Sequence, residues 1–183
     1  MDTLEGRLLI ASPRLPDPNF HHSVVLIIQH NENGAFGLIL NRITESNVGE
    51  VWSMVAEEEI DDDTPVHFGG PVAGPLLALH TDRHAAEKEV LHGVYFSTQR
   101  DRLVQIVVHS DTSFRLYSGY SGWGPGQLEN EIKGGGWMTL YAREEFIFGD
   151  PDGMWKRAAQ EIGEDITRPL VAQVGIPGSP SMN

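Results

Sequence analysis

The segment Gly119-Tyr120-Ser121-Gly122-Trp123-Gly124-Pro125-Gly126-Gln127-Leu128-Glu129 holds the most specific local signal in the chain. It leads from a strand into a helix through four glycines, and N–H groups of Gly126 and Gln127 at that helix start could receive an anion or a carbonyl oxygen. Ser121 is not a nucleophile elbow, because Trp123 breaks the Gly-x-Ser-x-Gly spacing. The residue types suit two uses. Small residues at 122, 124 and 126 let the Trp123 ring dock, while Gln127 and Glu129 present polar groups. Phe68-Gly69-Gly70-Pro71-Val72 pairs two glycines after a strand, yet no Lys-Ser or Lys-Thr pair follows. It reads as a backbone bend between strands rather than a phosphate loop. Asp17-Pro18-Asn19-Phe20 reads as a proline-fixed Asx turn that anchors Phe20 in the core.

Eight histidines invite a metal reading. His80, His84 and Glu87 would align at i, i+4 and i+7 on a helix, but His80 ends an apparent strand, which spoils that geometry. His21 and His22 are adjacent and cannot chelate from one strand face. There is no cysteine, so disulfides, thiol nucleophiles and cysteine-based metal sites are all excluded. No metal and no cofactor is expected.

These groups must be positioned by a chain of 183 residues, a length that suits one domain. Thirteen basic against 26 acidic residues give a net charge of −13, which argues against an electrostatic nucleic-acid footprint or a basic membrane patch. The N-terminus, Met1 to Glu5, is acidic with no apolar signal core behind it, and the longest aliphatic run is only Val24 to Ile28. No membrane span is expected, and the cytoplasm is the expected location.

Leu8 to Ile10 reads as a short strand before a Pro-rich loop. Ser23 to His30 reads as a strand buried on both faces, turned by Asn31-Glu32-Asn33-Gly34 into a second strand, Ala35 to Leu40. Asn47 with Glu50 has capping-box spacing, and Val48, Val51, Trp52 and Val55 make one helical face. The acidic run Glu57 to Asp63 follows as a solvated helix end and loop. Val66 to Phe68, Leu76 to Leu79, Val94 to Phe96, Phe114 to Tyr120 and Trp137 to Tyr141 read as strands. Arg100 to His109 is assigned helix on a Thr98 cap, and Pro125 to Ile132 is a short helix. A last helix is expected to start at Asp150-Pro151 and end at Gly163, with a frayed tail from about Ile176. The resulting division is a domain over 1–163 and a C-terminal tail over 164–183.

Taken together, Leu8-Leu9-Ile10-Ala11, Asp17-Pro18-Asn19-Phe20, Ser23-Val24-Val25-Leu26, Gly37-Leu38-Ile39-Leu40-Asn41-Arg42, Phe68-Gly69-Gly70-Pro71-Val72, Leu79-His80 and Gly122-Trp123-Gly124-Pro125-Gly126-Gln127-Leu128-Glu129 resemble the YqgE/AlgH family from about Gly6 to Gly163. Ile43 departs from the Pro that the family usually carries after Asn-Arg. The resemblance implies a bacterial cytosolic α+β protein: a single domain whose mixed, bifurcated sheet curls toward a barrel, with flanking helices. It implies no established activity, although members often carry the label of transcriptional regulator.

The reading that follows is a non-catalytic binding or regulatory domain acting through a small ligand or a protein partner. Its surface would centre on Asn41, Arg42, His80, Ser121, Gly126, Gln127 and Glu129. Arg42 offers a planar cationic fork for a carboxylate or phosphate, and Asn41 and Gln127 each donate and accept hydrogen bonds. The alternative is a cofactor-independent hydrolase or transferase with His80 or His30 as base. A direct DNA-binding repressor ranks third, since no helix-turn-helix or basic helix is present and the net charge repels phosphate.

Overall fold

The computed structural model describes residues 3–56, 59–109 and 111–173. Its first sheet has the order β10-β3-β2-β1-β11, all antiparallel, built from β1 (Arg7–Ala11), β2 (Val24–Asn31), β3 (Gly34–Ile39), β10 (Ser121–Trp123) and β11 (Trp137–Tyr141). The expected hairpin of β2 and β3 lies at its centre. Val24, Leu26 and Ile28 enter the space between the sheets, while Val25 and Ile27 enter a second core on the outer face. That placement explains why β2 reads as an unbroken apolar run instead of an alternating one.

The second sheet has the order β4-β5-β9-β6-β8-β7, from β4 (Ile43–Asn47), β5 (Pro65–Phe68), β6 (Leu77–His80), β7 (Lys88–Leu91), β8 (Val94–Ser97) and β9 (Phe114–Ser118). Only β5 and β9 pair in parallel, so the sheet is mixed. Both sheets keep free edges, and the curl toward a barrel stops short of closure. The main core packs one face of each sheet against α4 (Glu144–Phe148) and the first turns of α5 (Met154–Gln173). A third core lies on the other face of the second sheet, under α1 (Val48–Val55) and α2 (Arg100–His109). The fold is a mixed α+β domain with two sheets and five α-helices among the described residues. No helix among them is long and apolar enough to cross a membrane.

The two sheets branch from one another at a glycine junction. The chain leaves β3 for β4 through Leu40 to Arg42, and leaves β9 for β10 through Gly119 and Tyr120. The Gly69 carbonyl accepts from Ile39 N at 2.9 Å, and Gly69 N donates to the Ser118 carbonyl at 2.9 Å, so one residue serves both sheets. A Cβ at Gly69 would sit 2.2 Å from the Gly119 carbonyl oxygen, and one at Gly70 2.3 Å from the Tyr120 backbone. The Gly69-Gly70 pair is the backbone bend expected of it, and it is required by close main-chain approach.

Local signals were followed closely in places. Asn47 and Glu50 form the reciprocal capping box, and Asp17 accepts from Asn19 N in a turn that buries Phe20. Elsewhere the structure differs. At the start of α2, the N–H groups of Thr98 and Gln99 go to the Glu87 carboxylate at 2.8 and 2.6 Å. The third helix, α3 (Gln127–Lys133), begins two residues later than expected, because Gly126 at its N-cap is left-handed with φ 72°. Asp150 instead closes a turn with Asp152 N, so α5 begins at Met154, and it runs through Gly163 to Gln173. The expected tail from Ile176 lies outside the described residues, as do Glu57 and Glu58 of the acidic run.

Candidate functional site

Asn41 and Arg42 leave β3 beside the Asx turn and clip it in place. Asn41 Oδ1 accepts from Val24 N at 2.9 Å, and its Nδ2 donates to the His22 carbonyl at 2.9 Å. The Arg42 guanidinium donates from Nη1 to the Asn19 carbonyl and from Nη2 to the His21 carbonyl at 2.9 Å. These bonds hold a segment in which His22 takes a left-handed conformation, φ 51°, and its ring stacks on His21 and Trp155 with centroids 3.9 and 4.1 Å apart. The fork expected to meet an anion is turned onto backbone carbonyls of its own chain.

The Gly119–Glu129 turn packs as expected but presents less polar surface than expected. Ser121 is fully buried and donates to the Gly69 carbonyl at 3.1 Å, so it belongs to the branch. Trp123 is 5 % exposed and sits against Phe20 and Trp137. Gln127 Oε1 accepts from Gly124 N at 3.0 Å, and Gln127 Nε2 donates to Glu131 Oε1 at 2.9 Å. Gln127 N donates to the Gly124 carbonyl, so that N–H is also spent. The residue that ties the turn together is Glu131, which sequence reading missed: its Oε2 accepts from the indole N–H groups of Trp123 at 3.0 Å and Trp137 at 2.8 Å. Its i, i+4 spacing from Gln127 was the available signal. Gln127→Ala is therefore expected to cost about 0.5–1.5 kcal/mol, the net value of such bonds, and urea unfolding beside the parent protein checks it.

His80 does reach hydrogen-bond distance of a serine, the arrangement that would favour an enzyme. Its Nε2 lies 3.0 Å from Ser97 Oγ, but both residues are fully buried. Ser97 Oγ donates its single proton to the Ala85 carbonyl at 2.7 Å and accepts from Glu87 N. His80 Nε2 must then be the donor, so the imidazole gives a proton to Ser97 rather than taking one. Burial lowers the His80 pKa against the opposing pull of Asp82 and Glu87, which keeps the ring neutral. His30 is spent as well. Its Nδ1 accepts from Leu4 N at 3.1 Å, so Nε2 carries the proton donated to Glu129 Oε1 at 3.0 Å. Glu129 is held below the usual carboxylate range by its own backbone N–H and by His30. Asn41, Arg42, His80, Ser121, Gly126, Gln127 and Glu129 make no hydrogen bond to one another among the described residues; each stabilises its own part of the fold.

Two features were not legible in the sequence. On the main-core face of the second sheet, His67 and Tyr117 are register partners with ring centroids 5.3 Å apart, and Arg115 stands two residues from Tyr117 on the same face. Burial, aided by the Arg115 charge, pushes His67 down to about 4. On the opposite face, a cavity of about 260 Å³ opens between α1, β4 and residues 74–76. Val51, Met54, Val55, Val66 and Leu76 line it, with Ser46 among its polar edges, and Met54 is 84 % exposed.

A sequence model of AlgH-like proteins matches residues 8–167. The chain belongs to the AlgH-like family. A UPF0301 protein of Myxococcus xanthus is 36% identical over 173 residues, covering 90% of this chain and 94% of the relative. One of Xanthomonas campestris pv. campestris is 39% identical over 173 residues, covering 90% and 92%. Among solved structures, the solution structure of the AlgH protein from Pseudomonas aeruginosa is similar at a TM-score of 0.76 and 30% identity, over 95% of this chain and 96% of that one. A crystal structure of a Corynebacterium diphtheriae protein shares the fold at a TM-score of 0.70 and 21% identity, over 88% of each chain. The AlgH-like match runs from β1 into α5, so it takes in the branch, the Glu131 hub and the groove beside α1.

Proposed function

We propose that this protein is a non-catalytic binding domain of the bacterial cytoplasm that docks a basic segment of a protein partner in the groove beside α1. The observation that carries this reading is Met54, a large apolar side chain 84 % exposed at the rim of an apolar cavity. An exposed apolar group beside a cavity suits an anchor residue from another chain. The partner chemistry follows from charge. The chain carries −13, Glu45 and Glu50 are exposed on the elements that form the groove, and Glu59 is exposed four positions past the end of α1. Arg100 is occupied at the end of α1, its Nε donating to the Val55 carbonyl at 3.3 Å. A segment with an apolar anchor flanked by Lys or Arg fits this surroundings and would be steered toward it. A regulatory effect would run through that partner, because the same charge opposes contact with DNA phosphates. The enzyme alternative is disfavoured by the proton assignments at His80 and His30.

Met54→Glu tests the proposal. Its stability is expected to stay within about 0.5 kcal/mol of the parent, as for other exposed positions. Proteins captured at low salt by the parent protein are expected to be lost from the variant, and from the parent as salt is raised. Capture that is unchanged by Met54→Glu contradicts the proposal.

A further inference from the structure

We propose that Arg115, Tyr117 and His67 form a binding site for a small oxyanion, a carboxylate or phosphate group, at the end of the space between the two sheets. This is independent of the groove, which lies on the opposite face of the second sheet. Tyr117 is fully buried and His67 is 3 % exposed. Tyr117 Oη, both His67 ring nitrogens and Arg115 Nη1 are buried and make no well-aligned hydrogen bond within the protein, although the Arg115 guanidinium faces the Tyr117 hydroxyl and the Pro65 backbone faces the His67 ring. Adjacent strands bring the three side chains together on one face, in the pairing His67 with Tyr117. Buried polar groups of this kind almost always have well-made hydrogen bonds, and three donors of different type on one face of adjacent strands suit the recognition of an oxygen-rich anion.

Charge supports the same ligand. Arg115 forms no salt bridge among the described residues; burial lowers its pKa, against the opposing pull of Tyr117 and Asp150. Burial raises the Tyr117 pKa and lowers that of His67, so at neutral pH the hydroxyl keeps its proton and the imidazole is neutral. The cluster therefore carries one positive charge, which a single anionic group would neutralise in a desolvated setting. The second terminal nitrogen of Arg115 donates to the Gly149 carbonyl, and Gly149 lines an open depression of about 470 Å³ with Glu144, Glu145 and Phe148. That depression gives a route toward Arg115. The acidic groups beside it, Asp150, Glu144 and Glu145, disfavour a large polyanion and restrict the ligand to a small one.

The test titrates sodium acetate and sodium phosphate into the full chain at neutral pH, with sodium chloride at matched ionic strength as the control. Melting temperature and the NMR signals of the Arg115 Nε–H and His67 ring are followed. A saturable rise of about 5–10 °C at 100-fold excess over Kd is expected with acetate, phosphate or both, accompanied by shifts at Arg115 and His67. Acetate alone assigns a carboxylate ligand, and phosphate alone a phosphoryl one. Tyr117→Phe deletes one hydroxyl that makes no well-aligned hydrogen bond within the protein, so it is expected to fold and to lose the anion response by tenfold or more. Arg115→Gln is expected to abolish the response. Absence of a rise with both anions overturns the proposal, as does a rise retained in Tyr117→Phe.

Discussion

Gly70→Ala is expected to destabilise the protein by about 3–5 kcal/mol, from backbone strain and overpacking together. Gly70 has φ 153°, a conformation that L side chains rarely adopt. The added methyl would lie 2.3 Å from both the Tyr120 carbonyl carbon and its oxygen, and 2.4 Å from Ser121 N. All three are main-chain atoms of the segment that carries the chain from β9 into β10, so no side-chain rotation can relieve the clash. Relief would require moving one sheet against the other, and the Ser121 bond to the Gly69 carbonyl would be lost in the process. Urea unfolding of the variant beside the parent measures the cost. A loss below about 1 kcal/mol would mean that the branch is looser than these distances describe.

Trp123→Ala is expected to cost about 3–5 kcal/mol, the range for removing a large buried aromatic ring. The ring stacks on Phe20 at 5.8 Å and meets Trp137 edge-on at 6.0 Å, closing the core on the outer face of the first sheet. Its indole N–H also supplies one of the three side-chain donors to the Glu131 carboxylate. Trp123→Phe keeps most of the ring contact and loses that donor, so it is expected to cost about 1–2 kcal/mol, near the value of a hydrogen bond to a charged group. A cost for Trp123→Ala no greater than for Trp123→Phe would place the stability of the turn in the Glu131 bonds alone.

The parts of the fold that were legible in the sequence are those governed by neighbouring residues. The β2–β3 hairpin, the Asn47 capping box and the Asp17 Asx turn each depend on positions within a few residues of one another. The elements that were missed depend on distant partners. The β4 strand, Ile43-Thr44-Glu45-Ser46-Asn47, is polar and lies at a sheet edge, and the three-residue β10 strand exists because Gly37 to Ala35 lies opposite it. The α4 helix has five residues, too few for a periodic signal.

The candidate site was less legible for the same reason. Arg42, Gln127 and His80 are residues capable of binding chemistry, and nothing local to Arg42 or His80 reveals that the Arg42 terminal nitrogens are clasped by carbonyls or that His80 Nε2 is held by Ser97. Ser97 is 17 positions from His80, and the carbonyls clasped by Arg42 are 21 and 23 positions away. Met54 was passed over because the helical period selected Val48, Val51, Trp52 and Val55, the apolar face, of which only Val48 and Trp52 are fully buried. An apolar residue just off that face is the local mark of a surface available to another chain.

The most direct measurement places a photo-crosslinking residue at position 54 in one version of the protein and at position 127 in another, both expressed in living bacteria. Both positions are exposed, so both report on whatever touches them. Adducts to a protein with a basic segment are expected from position 54, reduced by raised salt during crosslinking in lysate, with none from position 127. Adducts from position 127 with none from position 54 would contradict docking beside α1 and return the functional surface to the Gly119–Glu129 turn.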